Sequence, residues 1–111
     1  MLDDLDDSAL DQLPFGVVCL SEAMTVVRMN RTESERSGIQ RWRAIGRDFF
    51  GEVAPGPTNL ALAEYIRAFA AGRTASPIPH TFRRRAGADP TQIELQRGRS
   101  TGRVYLCIHR E

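Results

Sequence analysis

Apolar residues alternate with polar ones, or crowd them out, in five short stretches of this chain, and between the second and third the spacing changes to that of helices. Phe15–Leu20 and Thr25–Met29 are rich in β-branched and apolar residues, and Ser21–Met24 between them reads as a hairpin turn. Ile78–Arg85, Thr91–Arg97 and Arg103–His109 are three further strand candidates. Gly87-Ala88-Asp89-Pro90 separates the first two and Gly98–Gly102 the last two, which predicts two antiparallel hairpins. The run Val104–Ile108 is apolar on both faces, as a central strand covered on both sides would be.

Between the strand groups, Asn30 stands at the N-cap of a helix that Gly38 ends, with Glu33 at the third helical position. Residues 40–45 supply another helical turn before Gly46. After the Pro55-Gly56-Pro57 break, Asn59 is expected to cap a longer amphipathic helix running to about Ala71, with Leu62, Ile66, Phe69 and Ala70 on one face and Gly72 closing it. At the start, Leu2, Leu5, Ala9, Leu10 and Leu13 fall near one face of a short helix with aspartates opposite, and Pro14 stops it. Residues 1–13 therefore read as an acidic cap and residues 14–111 as a core domain.

Composition narrows the function. A chain of 111 residues suits one domain with one modest core, and no apolar run approaches the roughly 20 residues that span a bilayer. The acidic start is unlike an export signal, so the chain is expected in the cytoplasm with no membrane partner. Cys19 and Cys107 sit in apolar runs and read as buried thiols, and no Cys/His spacing suggests a metal. All 15 basic residues are Arg; the aspartates Asp3, Asp4, Asp6, Asp7 and Asp11 face a last third rich in Arg, including Arg83, Arg84, Arg85, Arg97, Arg99, Arg103 and Arg110. Such a run of Arg next to an internal acidic competitor argues against nucleic acid as a partner. No catalytic triad, phosphate loop or paired carboxylate site is evident, so no enzyme is expected.

The segment Gly46–Gly56, with Gly46, Phe49, Phe50, Val53, Ala54 and Pro55 in the pattern G-x-x-F-F-x-x-V-A-P, resembles the photoactive yellow protein branch of the PAS sensor domains, as does Phe15–Gly38 before it. The resemblance implies an α+β PAS fold: a five-stranded antiparallel sheet in spatial order 2-1-5-4-3, short helices over one face and an N-terminal helical cap. In that family the motif ends in a cysteine that carries the chromophore as a thioester. Here the position is Gly56, so no covalent cofactor is expected. Met29 stands where the family has a chromophore-binding tyrosine, Glu33 where it has a glutamic acid, Ser37 where it has a threonine and Ile39 where it has an arginine. His80 is not expected to hold haem, since the helix over 59–71 has no histidine.

The candidate ligand-binding residues are thus Met29, Glu33, Ser37, Phe49, Phe50, Gly56 and Phe82, around a noncovalent small ligand. Two roles are open to Glu33: a buried acid facing a pocket, or an outward capping-box carboxylate on Asn30. Two roles are equally open to the aromatic and apolar residues, including Val104 and Leu106: lining a cavity or filling the core. The expected function is a non-photoactive sensory or regulatory module that binds such a ligand or mediates protein–protein interaction, with a second copy in a homodimer or a signalling protein as partner. The alternative is a ligand-free assembly domain with a filled core.

Overall fold

A computed structural model describes residues 2–73, 78–84, 87–99 and 102–110, except the side chains of 83, 84 and 87. Strands β1 (Gly16–Leu20), β2 (Val26–Met29), β3 (Ile78–Arg84), β4 (Gly87–Arg97) and β5 (Val104–Arg110) form one antiparallel sheet in the order β2-β1-β5-β4-β3. This is the order that the resemblance implies. The central strands β1 and β5 bury both of their faces over Gly16–Leu20 and Val104–Ile108, as the apolar run in β5 predicts.

Helices α2 (Arg31–Ser37), α3 (Arg41–Ala44) and α4 (Leu60–Ala70) cover one face of the sheet. There Val18, Leu20, Leu106, Ile108, Ile93 and Leu95 of the strands meet Ala44, Leu62 and Ile66 of the helices. The other face carries Val17, Cys19, Tyr105 and Cys107, and the N-terminal segment closes over it with Leu2 and Leu10. That segment is a 3₁₀ turn, Leu2–Asp4, followed by α1 (Asp7–Asp11), not one helix. The break follows from Asp6, whose side chain accepts from Ala9 N at 2.8 Å and so starts a new helix.

Three further expectations change. Gly87, Ala88, Asp89 and Pro90 belong to β4, not to a turn; they pair with β3 beyond the end of β5, whose ladder with β4 starts at Thr91–Arg110, so the missing Pro90 N–H interrupts no second ladder. Asn59 closes a 3₁₀ turn, Pro57–Asn59, and gives α4 no side-chain cap, because its amide is engaged elsewhere. Ala70 is exposed and Ala63 buried, since the last turn of α4 runs out to where Arg97 donates to Phe69 O at 2.6 Å and stacks on the Phe69 ring. The five-residue π-helical turn Phe49–Val53 had no counterpart in the sequence pattern.

The cap aspartates find arginines, though largely other ones than the last third offered. Arg28 on β2 donates to Leu5 O at 2.7 Å and to Asp7 at 3.2 Å, Arg41 on α3 donates to Asp11 at 2.9 Å, and Arg99 pairs with Asp4. Of the Arg83-Arg84-Arg85 run, the first two side chains and all of Arg85 lie outside the described residues. Among the described residues no helix is long and apolar enough to cross a membrane, and no cluster of three His, Cys, Asp or Glu side chains could hold a metal ion.

Candidate functional site

Asn30 organises the approach to the site. It is fully buried between β2 and α2, and its Oδ1 accepts from Val17 N at 2.9 Å and from Glu33 N at 3.0 Å. Its Nδ2 donates to Leu10 O at 3.0 Å and Phe15 O at 3.1 Å, so one side chain ties cap, sheet and helix together with every polar atom satisfied. The N-cap expected at Asn30 is therefore present. It also sets the phase of α2 and turns Glu33 inward over β1.

Glu33 needs room there, and Gly16 supplies it. A Cβ at Gly16 would lie 2.1 Å from Glu33 Oε1, closer than real Cβ atoms come, and in a tight 3.1 Å approach to its Cβ. The carboxylate passes over the bare backbone and meets the end of β5. Arg110 donates to Glu33 through both terminal nitrogens, at 2.5 and 3.1 Å, and through Nε to Asp89 of β4 at 2.7 Å. The three side chains are 7% (Glu33), 9% (Arg110) and 15% (Asp89) exposed. The capping-box reading of Glu33 is thereby corrected: its carboxylate bonds the guanidinium and not Asn30, whose own N–H donates to Val17 O.

Burial pushes the Glu33 carboxyl above the ordinary carboxylate range; the Arg110 fork opposes this, and Asp89 adds to it. For Arg110, burial weighs against the charge, but Glu33 and Asp89 outweigh it and hold the guanidinium ionised. The group is thus a buried charge cluster with two carboxylates and one cation.

Beside it lies a cavity of about 230 Å³. Its apolar wall comes from Met29 of β2, Ile39, Phe49 and Val53 of the π turn, Ala54, Pro55 and Phe82 of β3; its polar rim comes from Glu33, Ser37, Asn59, Asp89 and Arg110. Ser37 Oγ accepts from Ile39 N at 3.2 Å, which shapes the α2–α3 connection. Elsewhere on the rim Asn59 Nδ2 donates to Ala54 O at 2.9 Å while its Oδ1 lies 2.8 Å from His80 Nε2, so the imidazole presents a hydrogen there. Burial lowers the His80 pKa below the ordinary histidine value.

Of the residues singled out in the sequence, the structure brings Met29, Glu33, Ser37, Phe49 and Phe82 to this cavity. It does not bring Phe50, which stacks edge-on against Phe49 at 4.9 Å and packs on the core, or Gly56, which lies just past Pro55 in the following turn. Val104 and Leu106 are core residues. Arg110, Asp89 and Asn59 were missed. A signal existed for the first two: in β5, positions 104, 106 and 108 face the core, and Arg110 continues that period; in β4, Asp89 continues the inward series of Leu95, Ile93 and Thr91.

Comparison with known proteins adds the following. A family model described as the PAS fold matches residues 10–101. A curated relative, the photoactive yellow protein of Rhodothalassium salexigens, is 36% identical over 52 residues, which span 47% of this chain and 42% of that protein. The photoactive yellow protein domain from the sensor histidine kinase Ppr of Rhodospirillum centenum superimposes with a TM-score of 0.83 at 28% identity, covering 96% of this chain and 95% of that one. The PAS domain of the quorum-sensing receptor RpfR from Cronobacter turicensis, in complex with C12:0, has a TM-score of 0.75 at 15% identity over 89% of this chain and 95% of its own.

Proposed function

This chain belongs to the PAS-fold family, and on that premise we propose that it is a sensory or regulatory module that binds a small ligand noncovalently in the cavity beside Glu33. The observation that carries the reading is the cavity itself: about 230 Å³ with an apolar wall and a charged end, where a filled core would have left close-packed side chains. Its relatives give the context. One similar domain belongs to a sensor histidine kinase, and another of the same fold holds C12:0.

Noncovalent binding follows from what surrounds the cavity. Gly56 occupies the position after Val53-Ala54-Pro55 with φ +128° and ψ 146°, a conformation that side-chain-bearing residues avoid. Cys19 and Cys107 lie on the far face of the sheet, and burial pushes their thiols up to about 11 and about 12, far from the thiolate that an acyl transfer needs. We assign the output to contacts with a second copy or a signalling protein, because the cavity touches β5 and β5 carries the cap on its other face. No catalytic step is assigned.

The test is an NMR titration of the whole chain with n-hexanol. Saturable shifts at Met29, Phe49 and Phe82 that vanish in Ala54→Phe, where a ring fills the space, are the expected result. Shifts that do not saturate, or that survive in Ala54→Phe, would return the chain to the ligand-free assembly reading.

A further inference from the structure

We infer that the cavity selects a small ligand with an apolar body and a cationic, hydrogen-bond-donating head, and rejects the matching carboxylate. The inference rests on the noncovalent-ligand reading above and names the chemistry of its ligand. Its basis is the composition of the polar end. Glu33 and Asp89 share one guanidinium, with contacts of 2.5, 3.1 and 2.7 Å, and all three side chains are nearly buried. Fully ionised, this cluster carries one net negative charge. Arg36 also acts on Glu33, but it is exposed, where solvent and salt screen it.

The hydrogen-bonding capacity is lopsided in the same sense. Each carboxylate offers about four lone-pair sites, and the Arg110 contacts occupy only a minority of them. The end of the cavity is therefore rich in acceptors and poor in donors. A ligand carboxylate would become a third anion around the one cation that touches the cluster among the described residues, in surroundings where low polarity strengthens every like-charge contact. An ammonium head brings the missing positive charge and donors at once. The body is specified by Met29, Phe49, Val53 and Phe82, which present hydrocarbon and sulfur but no hydrogen-bonding partner to most of the ligand's length.

The experiment compares n-hexylamine, n-hexanol and n-hexanoate, which differ only in the head, by NMR titration of the whole chain at pH 7 and equal ionic strength. Hexylamine is expected to bind about tenfold more tightly than hexanol, the margin of a charge-assisted over a neutral hydrogen bond, with hexanoate not binding. Asp89→Asn should weaken hexylamine much more than hexanol and so erase most of the hexylamine advantage. Hexanoate binding as tightly as hexylamine would overturn the charge selectivity and leave the pocket standing, as would equal binding of hexylamine and hexanol. Failure of all three to bind would overturn the pocket as well. The wild-type ranking decides the question even if Asp89→Asn does not fold.

Discussion

Replacing Arg110 by Met should produce a protein whose stability falls as pH rises, the reverse of ordinary acid denaturation. In the folded chain Arg110 is the only cation in direct contact with Glu33 and Asp89 among the described residues. Met keeps much of the stem's packing but removes the charge, leaving two buried carboxylates side by side. Breaking a buried pair in this way costs about 3–5 kcal/mol, against a total stability of about 5–15 kcal/mol for a domain. At about 4 °C per kcal/mol for a chain of this size, the melting temperature at pH 8 should drop by at least about 12 °C.

The sign with pH follows from the carboxyls. Burial already pushes Glu33 above its unfolded value; without the Arg110 guanidinium only the exposed, screened Arg36 opposes that, and Asp89 next to it raises it further. A group whose folded pKa is raised supports the fold below its unfolded pKa and loses that support as pH climbs through the folded one. The Met variant should thus recover much of its deficit near pH 5, where one carboxyl takes a proton and bonds the other. Thermal unfolding of both proteins by circular dichroism from pH 5 to 8 measures this. A deficit that stays constant across the range, or no deficit at pH 8, would refute the buried-cluster argument. Arg110→Lys, which keeps the charge but loses the fork, should fall between the two.

The remaining predictions concern the supports of the site. Gly16→Ala should cost about 1–3 kcal/mol by forcing the Glu33 carboxylate out of its place, and clearly less in a Glu33→Ala background, where only the tight approach to the Cβ remains; equal costs in a double-mutant cycle by urea unfolding would show that the clash lies elsewhere. Leu10→Ala in the cap should cost about 2–5 kcal/mol whatever the salt, because Leu10 is almost wholly buried on the outer sheet face. Asp7→Asn at the exposed end of the Arg28 pair should cost no more than about 1 kcal/mol, and that only at low salt. His80, held below its ordinary value by burial, supports the fold fully above about pH 6.5 and less as pH falls; a melting curve of His80→Gln should lack that acid loss, and an identical loss would exclude His80 as its source.

Much of the architecture was legible because it is written in local periodicity. The apolar run 104–108 marks a central strand, the alternating runs mark its neighbours, and Asn30 and Gly38 bracket a helix whose cap is present as expected. What misled was chemistry with more than one outlet. Gly87-Ala88-Asp89-Pro90 has turn composition, yet pairing on only one side lets it extend as strand; Asn59 has cap composition, yet Ala54 O and His80 claim its amide. The charged end of the cavity joins residues 33, 89 and 110, which no spacing along the chain connects. Only the inward phase of Asp89 and Arg110 along their strands hinted at it, and that hint becomes usable once strand order is known. The π turn at Phe49–Val53, which supplies Phe49 and Val53 to the apolar wall, left no periodic trace because it is a single turn.

The central claim, an open cavity beside Glu33 and not a filled core, is tested most directly by a crystal structure of the protein under xenon pressure. The account predicts xenon between Met29, Phe49 and Phe82, with the Glu33–Arg110–Asp89 cluster intact at the end of the site. Side chains such as Phe50 or Ile39 packed into that volume, with no xenon bound, would contradict it.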